Sequence, residues 1–531
     1  MKQFAELLDR LVLTPSRNGK LTWLADYFRA TPDPDRGIAL AAITGDLNIA
    51  SVKPAMLRQL VIERMDEVLF GYSYDYVGDL AETVSLVWPA AADGAQVEPR
   101  LSDVAARLQS AGRADGPAIV AALLDRLDAS GRYALIKLVT GGLRIGVSAR
   151  LARQALAAMG KVDAVEIEEL WHGLQPPYAD LFAWLDGRAA KPSTAARALF
   201  RPVMLAHPVE PRDLDNADPA DFIAEWKWDG IRLQAVGDAG VRRLYSRTGD
   251  DVAAAFPDLV AAIDFDGVID GELLVGSPAA AGGFSDLQQR LNRKTVSAKL
   301  AAKYPAFMRC YDLLQAGGED LRPLPFAERR IRLENFVARL DPARFDLSPL
   351  VAFDGWPNLD RRRTEPPHPV IEGVMLKRRD SLYVPGRPKG PWFKWKRDPY
   401  TVDAVLMYAQ RGHGKRSSFY SDYTFGVWTG DEARPQLTPV GKAYFGFTDE
   451  ELRLIDKYVR DNTVERYGPV RQVRADRSHG LVLEIAFEGL NRSTRHKSGV
   501  AMRFPRISRL RWDKPPGEAD RLETLQALLP D

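Results

Sequence analysis

EWKWDGIR, residues 225–232, is the stretch of this sequence from which a fold and a chemistry can both be read. Apolar and polar residues alternate up to Gly230, a pattern that predicts a strand running into a turn. A lone lysine at such a place is ordinarily a surface residue of the strand. The other interpretation of Lys227 is a nucleophilic amine, which reacts only when neutral and therefore needs burial or neighbouring cations.

Further short segments follow Lys227 along the chain. They are SRTG (246–249), DGE (270–272), YDLL (311–314), EGVMLK (372–377), WFKWK (392–396) and RFPRISRLRWDK (503–514). Together with KWDGIR, this ordered set resembles the motifs of the ATP-dependent DNA ligases, in the superfamily that also contains RNA ligases and mRNA capping enzymes. LIKLVTGGLRIGVS, residues 135–148, resembles part of the DNA-binding domain of the larger ligases, so the resemblance covers almost the whole chain.

The resemblance implies that the chain seals nicks in duplex DNA with ATP as its cofactor. Lys227 would attack the α-phosphorus of ATP, release pyrophosphate and keep AMP as a phosphoramidate. AMP would then pass to the 5′-phosphate of the nick, and the 3′-hydroxyl would displace it. Asp229 would orient the lysine, although an aspartate before Gly230 is also an ordinary turn residue.

The same resemblance assigns the nucleobase to a small group of strand residues. Glu225 lies two residues before the lysine, on the same strand face, and would contact the adenine edge. Tyr311 would stack on one face of adenine and Met375 on the other. Without the resemblance, an aromatic residue and a methionine in strands more often belong to a core.

Two glutamates are the expected metal ligands. Glu372 and Glu272 would hold the ion, and Glu272 would also accept a hydrogen bond from the ribose. Mg²⁺ prefers one or two carboxylates plus phosphate oxygens, so such a pair is chemically sufficient, with Mn²⁺ as a substitute. Taken alone, a glutamate on a strand is more often a solvated surface residue.

Basic residues are the expected phosphate ligands. Arg232 and Arg247 would bind phosphate or ribose oxygens through the bidentate guanidinium group, and Arg387 would add a further nucleotide contact. Lys394 and Lys396 alternate with aromatic residues, which places both amines on one strand face. There they would act as catalytic residues that neutralise the α-phosphate and the transition state.

The segment 503–514 is basic, with apolar residues between the charges that anchor it to a core. By resemblance, Arg509 and Lys514 orient the pyrophosphate during adenylation of the lysine. The C-terminal domain would have to close over ATP and then swing away to bind DNA. The expected hinge is Arg397-Asp398-Pro399.

DNA contacts are expected from Arg144, Arg247, Lys377, Arg411 and Lys415. Contacts to phosphate carry no sequence information and weaken with salt. Arg247 would also meet the 5′-phosphate of the nick. Arg144 and Gly146 would approach the minor groove, the alternative for Gly146 being a helix terminator.

The expected fold class is multidomain, α and α+β. Residues 1–200 show helical periodicity and predict an all-helical DNA-binding domain, with a loop at 88–99 and a polar linker at 187–194. Residues 201–398 mix short strands with helices and predict an α+β adenylation (nucleotidyltransferase) domain. Residues 399–531 are mostly strands, with one helix after a capping box at Thr448 and Glu451, and predict an OB-fold β-barrel.

The composition is that of an ordinary globular protein, with 46% hydrophobic residues and a net charge of +2, so overall charge does not indicate a nucleic-acid ligand. One cysteine, Cys310, excludes a disulfide framework. The N-terminus lacks the apolar core of a signal peptide, and no apolar run has the length of a membrane span. We therefore expect a cytoplasmic protein with no membrane partner. The resemblance implies a nucleoid-associated monomer that encircles nicked duplex DNA.

Other function classes fit these residues less well. An RNA ligase or a capping-type guanylyltransferase is disfavoured by the long helical N-terminal region and by the ending RFPRISRLRWDK. An NAD-dependent ligase would carry a zinc-binding cysteine cluster, and this chain has one cysteine. A non-catalytic nick-binding protein or scaffold would have lost residues such as Lys227, Glu272 and Lys394, which are all present.

Overall fold

The computed structural model describes residues 1–49, 53–89, 99–112, 115–192, 197–215, 217–291, 293, 295–412, 419–431 and 434–529. These residues form two compact units. The first unit contains Met1–Met159, Pro176–Phe182 and Pro399–Asp531, and the second contains Gly160–Gln175 and Ala183–Asp398.

Helices form the N-terminal part of the chain. Their bounds are α1 Lys2–Leu13, α2 Arg17–Ala30, α3 Asp35–Thr44, α4 Pro54–Ile62, α5 Glu67–Val77, α6 Leu80–Val87, α7 Leu101–Ser110, α8 Gly116–Asp125, α9 Ala129–Thr140, α10 Ala149–Gly160, α11 Ala164–Leu170 and α12 Ala179–Leu185. On α1, Phe4, Leu7, Leu8 and Leu11 are buried together, because residues three and four apart share a helix face. The predicted helical N-terminal region is confirmed; residues 90–98 of the predicted loop and 193–194 of the predicted linker lie outside the described residues.

Strands and helices alternate in the second unit. The strands are β1 His207–Pro208, β2 Phe222–Trp228, β3 Ile231–Asp238, β4 Val241–Ser246, β5 Gly267–Ser277, β6 Ala280–Ala281, β7 Ala306–Ala316, β8 Glu319–Asp320, β9 Phe345–Leu347, β10 Ile371–Arg378 and β11 Trp392–Lys396. The helices are α13 Pro257–Ala261, α14 Phe284–Gln288, α15 Ala298–Lys303, α16 Phe326–Val337 and α17 Trp356–Thr364. One sheet has the order β1-β11-β10-β2, and the other has the order β4-β3-β5-β7-β8, with β6 on β5 and β9 on β7.

The sheet that contains β2, β10 and β11 has one apolar face. Ala224, Val374 and Phe393, one from each strand, pack there with Leu359 of α17. Because side chains alternate between the faces of a strand, the residues next to these point to the opposite side of the sheet. That opposite face carries the polar residues of the motifs.

The chain crosses from one sheet to the other directly after Lys227. β2 ends at Trp228 and β3 begins at Ile231, so Asp229 and Gly230 form the connection. The Asp229 amide donates a hydrogen bond to the Val370 carbonyl at 2.8 Å, which fixes the turn against the start of β10. At Gly230 a Cβ atom would lie 2.3 Å from the Leu273 carbonyl oxygen of β5, so only glycine fits where the sheets approach.

The C-terminal region of the first unit is rich in strands. Its elements are β12 Tyr400–Arg411, β13 Tyr420–Thr429, β14 Gln436–Ala443, α18 Asp449–Asp461, β15 Thr463–Tyr467, β16 Val470–Val473, β17 Val482–Phe487, β18 Gly489–Arg492, β19 Val500–Arg503, β20 Arg506–Arg511 and α19 Leu522–Gln526. The long β12 pairs with β13 along one edge and with β17 and then β16 along the other. The strands enclose one apolar core, as in a small barrel.

The predicted capping box begins α18 as expected. The Glu451 amide donates to the Thr448 hydroxyl at 3.1 Å, and the Thr448 amide donates to the Glu451 carboxylate at 2.7 Å. The predicted fold class, with a helical region, a central α+β region and a strand-rich C-terminal region consistent with an OB fold, is confirmed. Cys310 is fully buried on β7, in the apolar core of its sheet. Among the residues described, no helix combines the length and the hydropathy needed to span a membrane.

Candidate active site

The lysines of the segments 225–232 and 392–396 lie together on the polar face of β2, β10 and β11. The cross-strand neighbours form two rows, Lys227–Gly373–Lys396 and Glu225–Met375–Lys394. Residues directly opposite one another in a ladder share a face and have their Cβ atoms about 5 Å apart. The structure therefore brings together five of the predicted site residues from three separate segments.

A β-bulge in β10 places Glu372 on this same face. Ile371 pairs with Trp228 and Gly373 pairs with Lys227, so Glu372 is an extra residue between two consecutive rungs. Its carboxylate forms ion pairs with Lys227 on one side and with Lys396, at 2.7 Å, on the other. Burial alone would raise the pKa of Glu372, but the charges of both lysines and their hydrogen bonds hold it below its usual value.

Gly373 is what permits the bulge. Its φ of +147° lies in a region that L-residues rarely adopt, and a Cβ atom there would lie 2.3 Å from the Trp395 carbonyl oxygen. A side chain at this position would push β11 away from β10 and separate Lys396 from Glu372.

Glu272 completes the site from the other sheet. It lies on β5, opposite Arg232 of β3. Burial raises its pKa to about 8, an effect that Lys227 opposes and the Glu372 carboxylate reinforces. A carboxyl group in this situation readily exchanges its proton for a metal ion, which relieves the repulsion between the two acids.

The donor set around Glu272 and Glu372 fits a divalent cation that also binds phosphate. Within the described part of the chain, no group of three or more His, Cys, Asp or Glu side chains could hold a metal by itself. A cation held here would take its remaining ligands from phosphate oxygens and water, which is the arrangement that Mg²⁺ prefers.

Further cations surround the two lysine rows. Partial burial lowers the pKa of Lys394, and the nearby charges of Arg387, Lys227, Lys396 and Arg247 lower it further. Arg247 lies in the turn after β4, and much of its surface is exposed. Burial of the rest lowers the pKa of its guanidinium, and the charges of Arg232 and Arg387 lower that pKa further. Cations that destabilise one another in this way are stabilised by a polyanion such as a triphosphate.

Arg232 differs from the expectation that it offers a free fork to phosphate or ribose. Its Nε and Nη2 donate to the two carboxylate oxygens of Asp270 at 3.0 and 2.6 Å. Nη1 donates to the Met204 carbonyl at 2.6 Å, and Nη2 also donates to the Tyr383 hydroxyl at 3.0 Å. The bidentate fork is thus bound to the Asp270 carboxylate inside the second unit, so the guanidinium holds β3, β5 and Tyr383 together.

Lys377 is the clearest correction to the sequence analysis. Its side chain is 2% exposed, and its amine lies 2.6 Å from the carboxylate of Glu225, whose side chain is also 2% exposed. The prediction that Lys377 contacts DNA is therefore wrong, because its charge is buried and paired. The amine also lies 4.6 Å from the centroid of the Tyr311 ring, at the predicted nucleobase site.

Two of the other predicted DNA contacts, Arg144 and Arg411, lie in the first unit. Arg144 is exposed between α9 and α10, with a φ of +49°. The Lys20 amine donates to the Ile145 carbonyl at 2.5 Å and thereby fixes this loop. Arg411 is exposed at the end of β12. Lys415 lies outside the described residues.

Arg509 and Lys514 also belong to the first unit. Arg509 is exposed on β20. Lys514 donates to Oδ2 of Asp403 at 2.7 Å, and Arg511 donates to the same oxygen at 3.1 Å. Asp403, which the sequence analysis did not single out, holds two cations of the segment 503–514 in place.

Arg330 is a second residue of the site that the sequence patterns do not single out. It is 4% exposed on α16 and lies 2.8 Å from the Glu225 carboxylate. The signal in the sequence was weak, because Arg329 and Arg330 lie in a helix in which charged residues are common and only the fold shows which of them are buried.

Three family models match the chain in order. "DNA ligase N terminus" matches residues 1–157, "ATP dependent DNA ligase domain" matches residues 203–396, and "ATP dependent DNA ligase C terminal region" matches residues 416–514. The solved structure named Pmar-Lig_PreS3 superposes with a TM-score of 0.60 over 96% of this chain and 99% of that chain. Its sequence identity is 16%, so this likeness concerns the fold alone.

Curated relatives extend the match to nearly the full length. A "Probable DNA ligase" of Koribacter versatilis is 31% identical over 99% of this chain and 96% of its own. A "Probable DNA ligase" of Anaeromyxobacter sp. is also 31% identical, over 99% of this chain and 98% of its own, and "DNA ligase 1" of Korarchaeum cryptofilum is 27% identical over the same shares. The ATP-dependent DNA ligases are a family that uses ATP, acts on DNA and seals nicks through an adenylate intermediate. Because three ligase domain models match in order and relatives align from end to end, this chain belongs to the ATP-dependent DNA ligases.

Proposed function

We propose that Lys227 is the residue that carries AMP and that the chain seals 5′-phosphate/3′-hydroxyl nicks in duplex DNA. The observation that carries this proposal is the position of the Lys227 amine, bound to Glu372 and flanked by Lys396 on a face that also holds Lys394. A nucleophile among cations is held beside the place where a phosphate would bind.

In the first step the Lys227 nitrogen attacks the α-phosphorus of ATP. The Lys227 ammonium gives up one proton to become a nucleophile; a P–N bond then forms, the bond to pyrophosphate breaks, and the nitrogen gives up a second proton. The hydrogen-bonded Glu372 carboxylate is the nearest acceptor, and it passes these protons on to solvent. Lys394 and Lys396 stabilise the negative charge that develops on the phosphorus oxygens. Asp229 fixes the turn that holds the lysine, because its backbone amide donates a hydrogen bond to the Val370 carbonyl.

Mg²⁺, or Mn²⁺ in its place, would be held by Glu272 and Glu372. When bound, such an ion neutralises phosphate oxygens and favours the uncharged form of a neighbouring amine. Arg247 and Arg387, whose charges interact with each other and with Lys394, would bind the remaining phosphates. Glu225, Tyr311 and Met375 would form the adenine site.

In the second and third steps the reacting groups are the 5′-phosphate and the 3′-hydroxyl of the nick, which bind after pyrophosphate has left. The 5′-phosphate oxygen attacks the phosphorus of lysine-bound AMP, the P–N bond breaks, and Lys227 regains its protons. The 3′-hydroxyl then attacks the 5′-phosphorus and loses its proton to solvent, a phosphodiester bond forms and AMP leaves. Arg247 would contact the 5′-phosphate, and Arg144 and Arg411 would contact the DNA backbone.

The proposed domains are a DNA-binding domain at 1–200, an adenylation domain at 201–398 and an OB-fold domain at 399–531. Closure about Arg397-Asp398-Pro399 would bring Arg509 and Lys514 to the pyrophosphate. The proposed complex is a monomer around nicked duplex DNA, and a protein with that substrate would act at the nucleoid.

The test is whether Lys227 becomes covalently modified. Wild-type protein incubated with ATP and Mg²⁺ should gain one AMP, seen in the intact mass, and should then seal a nicked duplex. Lys227→Ala should abolish the adduct, whereas Lys299→Ala, an exposed lysine on α15, should not affect it. Parallel reactions with NAD instead of ATP and with nicked RNA define the cofactor and substrate; AMP on Lys227→Ala protein would refute the assignment.

A further inference from the structure

Glu225 is held by two cations that come from different parts of the second unit. Arg330 of α16 donates to Oε1 through Nη1 at 2.8 Å. The amine of Lys377, on the neighbouring strand β10, lies 2.6 Å from Oε2. Each carboxylate oxygen therefore has its own charge-assisted hydrogen bond, and the three residues are all buried.

Both cations are themselves fixed. The Lys377 amine lies 4.6 Å from the ring centroids of Tyr311 and Phe326 and 4.7 Å from that of Trp392. This cage holds the ammonium by cation–π attraction and leaves it no route to solvent.

The Arg330 guanidinium is fixed at its other nitrogens. Nη2 donates to the Ser348 carbonyl at 2.8 Å, and Nε donates to the Glu334 carboxylate at 2.9 Å. A guanidinium bound at all three nitrogens cannot rotate, so it holds the Glu225 carboxylate in a single orientation.

We propose, on the basis of the proposed function, that Arg330 and Lys377 are positioning residues. They hold Glu225 as an acceptor for the exocyclic amine of adenine. Together they would set the preference for ATP over nucleotides that have no amine at that position. An ionised carboxylate can only accept hydrogen bonds. A purine without the amine forgoes the additional hydrogen bond that this carboxylate can accept, and a purine with a carbonyl there sets two acceptors against each other.

The buried arrangement is what gives the contact its selectivity. A mobile, solvated glutamate would turn to water when the amine is missing, and little affinity would be lost. A fixed acceptor has no such alternative, so a nucleotide that fails to donate loses most of the hydrogen bond. Selectivity therefore depends on Arg330, which need not touch the nucleotide.

The test compares two nucleotides on each protein preparation. Adenylation of Lys227 is measured as single-turnover adduct formation with ATP and with purine riboside triphosphate, which lacks the amine. We expect wild-type protein to favour ATP by about tenfold or more, as for a hydrogen bond to a charged acceptor. Arg330→Met should reduce this ratio to within about threefold of unity, and Arg330→Lys, which keeps the charge without the fork, should give an intermediate ratio.

The matched control is Arg332→Met, on the same helix but half-buried and paired with Glu319. It should keep the wild-type ratio. Because the ratio is taken within one preparation, a loss of folded protein lowers both rates and leaves the ratio unchanged. A purely structural role for Arg330 therefore predicts an unchanged ratio in both Arg330 variants.

The possible failures differ from one another. A wild-type ratio near unity, or an unchanged ratio in the Arg330 variants, overturns the positioning role while the adduct itself still forms. Wild-type protein that forms no adduct with either nucleotide overturns the proposed function, and this inference falls with it.

Discussion

Replacing Gly373 by alanine tests whether the bulge in β10 organises the site. The new Cβ atom would lie 2.3 Å from the Trp395 carbonyl oxygen and 2.7 Å from the Lys396 Cα. Both are backbone atoms of β11, so no side-chain rotation can relieve the contact. Either β11 moves away or the bulge rearranges, and in both cases Glu372 loses its bridge between Lys227 and Lys396.

The expected loss of stability has two parts. An alanine at a φ of +147° carries backbone strain of about 1–3 kcal/mol. Relief of the contact with β11 adds about 1–3 kcal/mol, as for other overpacked sites. We expect a total of about 2–6 kcal/mol and a fall in the adenylation rate of at least about 100-fold, since lost transition-state contacts of a few kcal/mol have that effect.

A second glycine provides the control. Gly390, in the connection between β10 and β11, has a φ of +102° and open space where a Cβ atom would lie. Gly390→Ala should show only the strain, measured as a smaller fall in Tm by tryptophan fluorescence, and should keep the adduct yield. The reasoning is refuted if Gly373→Ala forms the adduct at the wild-type rate, or if the two variants lose equal stability.

Two further outcomes are expected. The pKa of Glu272 is raised from 4.5 to about 8 in the folded protein, so its contribution to stability is lost as pH rises across that window. Added Mg²⁺ should then raise Tm more above about pH 8 than in the acid half of the window, and Glu272→Gln should remove the difference; an equal rise on both sides contradicts the metal assignment. Lys514→Ala should slow adenylation by on the order of tenfold and leave the sealing of a preadenylated nick nearly unchanged. The control Lys497→Ala, at an exposed lysine, should change neither step. Equal slowing of the two steps by Lys514→Ala would argue against a pyrophosphate role.

The parts of this molecule that follow local rules could be predicted from its sequence. The stripe of α1 and the capping box of Thr448 and Glu451 depend on spacing within one turn or two of a helix, and both form as expected. The shared face of Lys394 and Lys396 follows from the alternation of a strand. The order of the motif segments was enough to indicate the family.

The remaining features depend on partners that are distant in sequence. Strict alternation would place Glu372 on the face opposite Gly373, and only the bulge reverses it. Lys377 was expected at the surface because lysines seldom lie in a core. It is buried because Glu225 and three aromatic rings supply what water would otherwise provide, and no local pattern reveals that combination.

The double ion pair of Glu372 makes the site sensitive to its own chemistry. One carboxylate balances two ammonium groups while both lysines are protonated. A bond from the Lys227 nitrogen to phosphorus would remove one of these positive charges and leave the acid less neutralised. The loaded form of the protein should then bind a divalent ion more tightly than the free form, and by thermodynamic reciprocity the ion should stabilise the loaded form to the same degree.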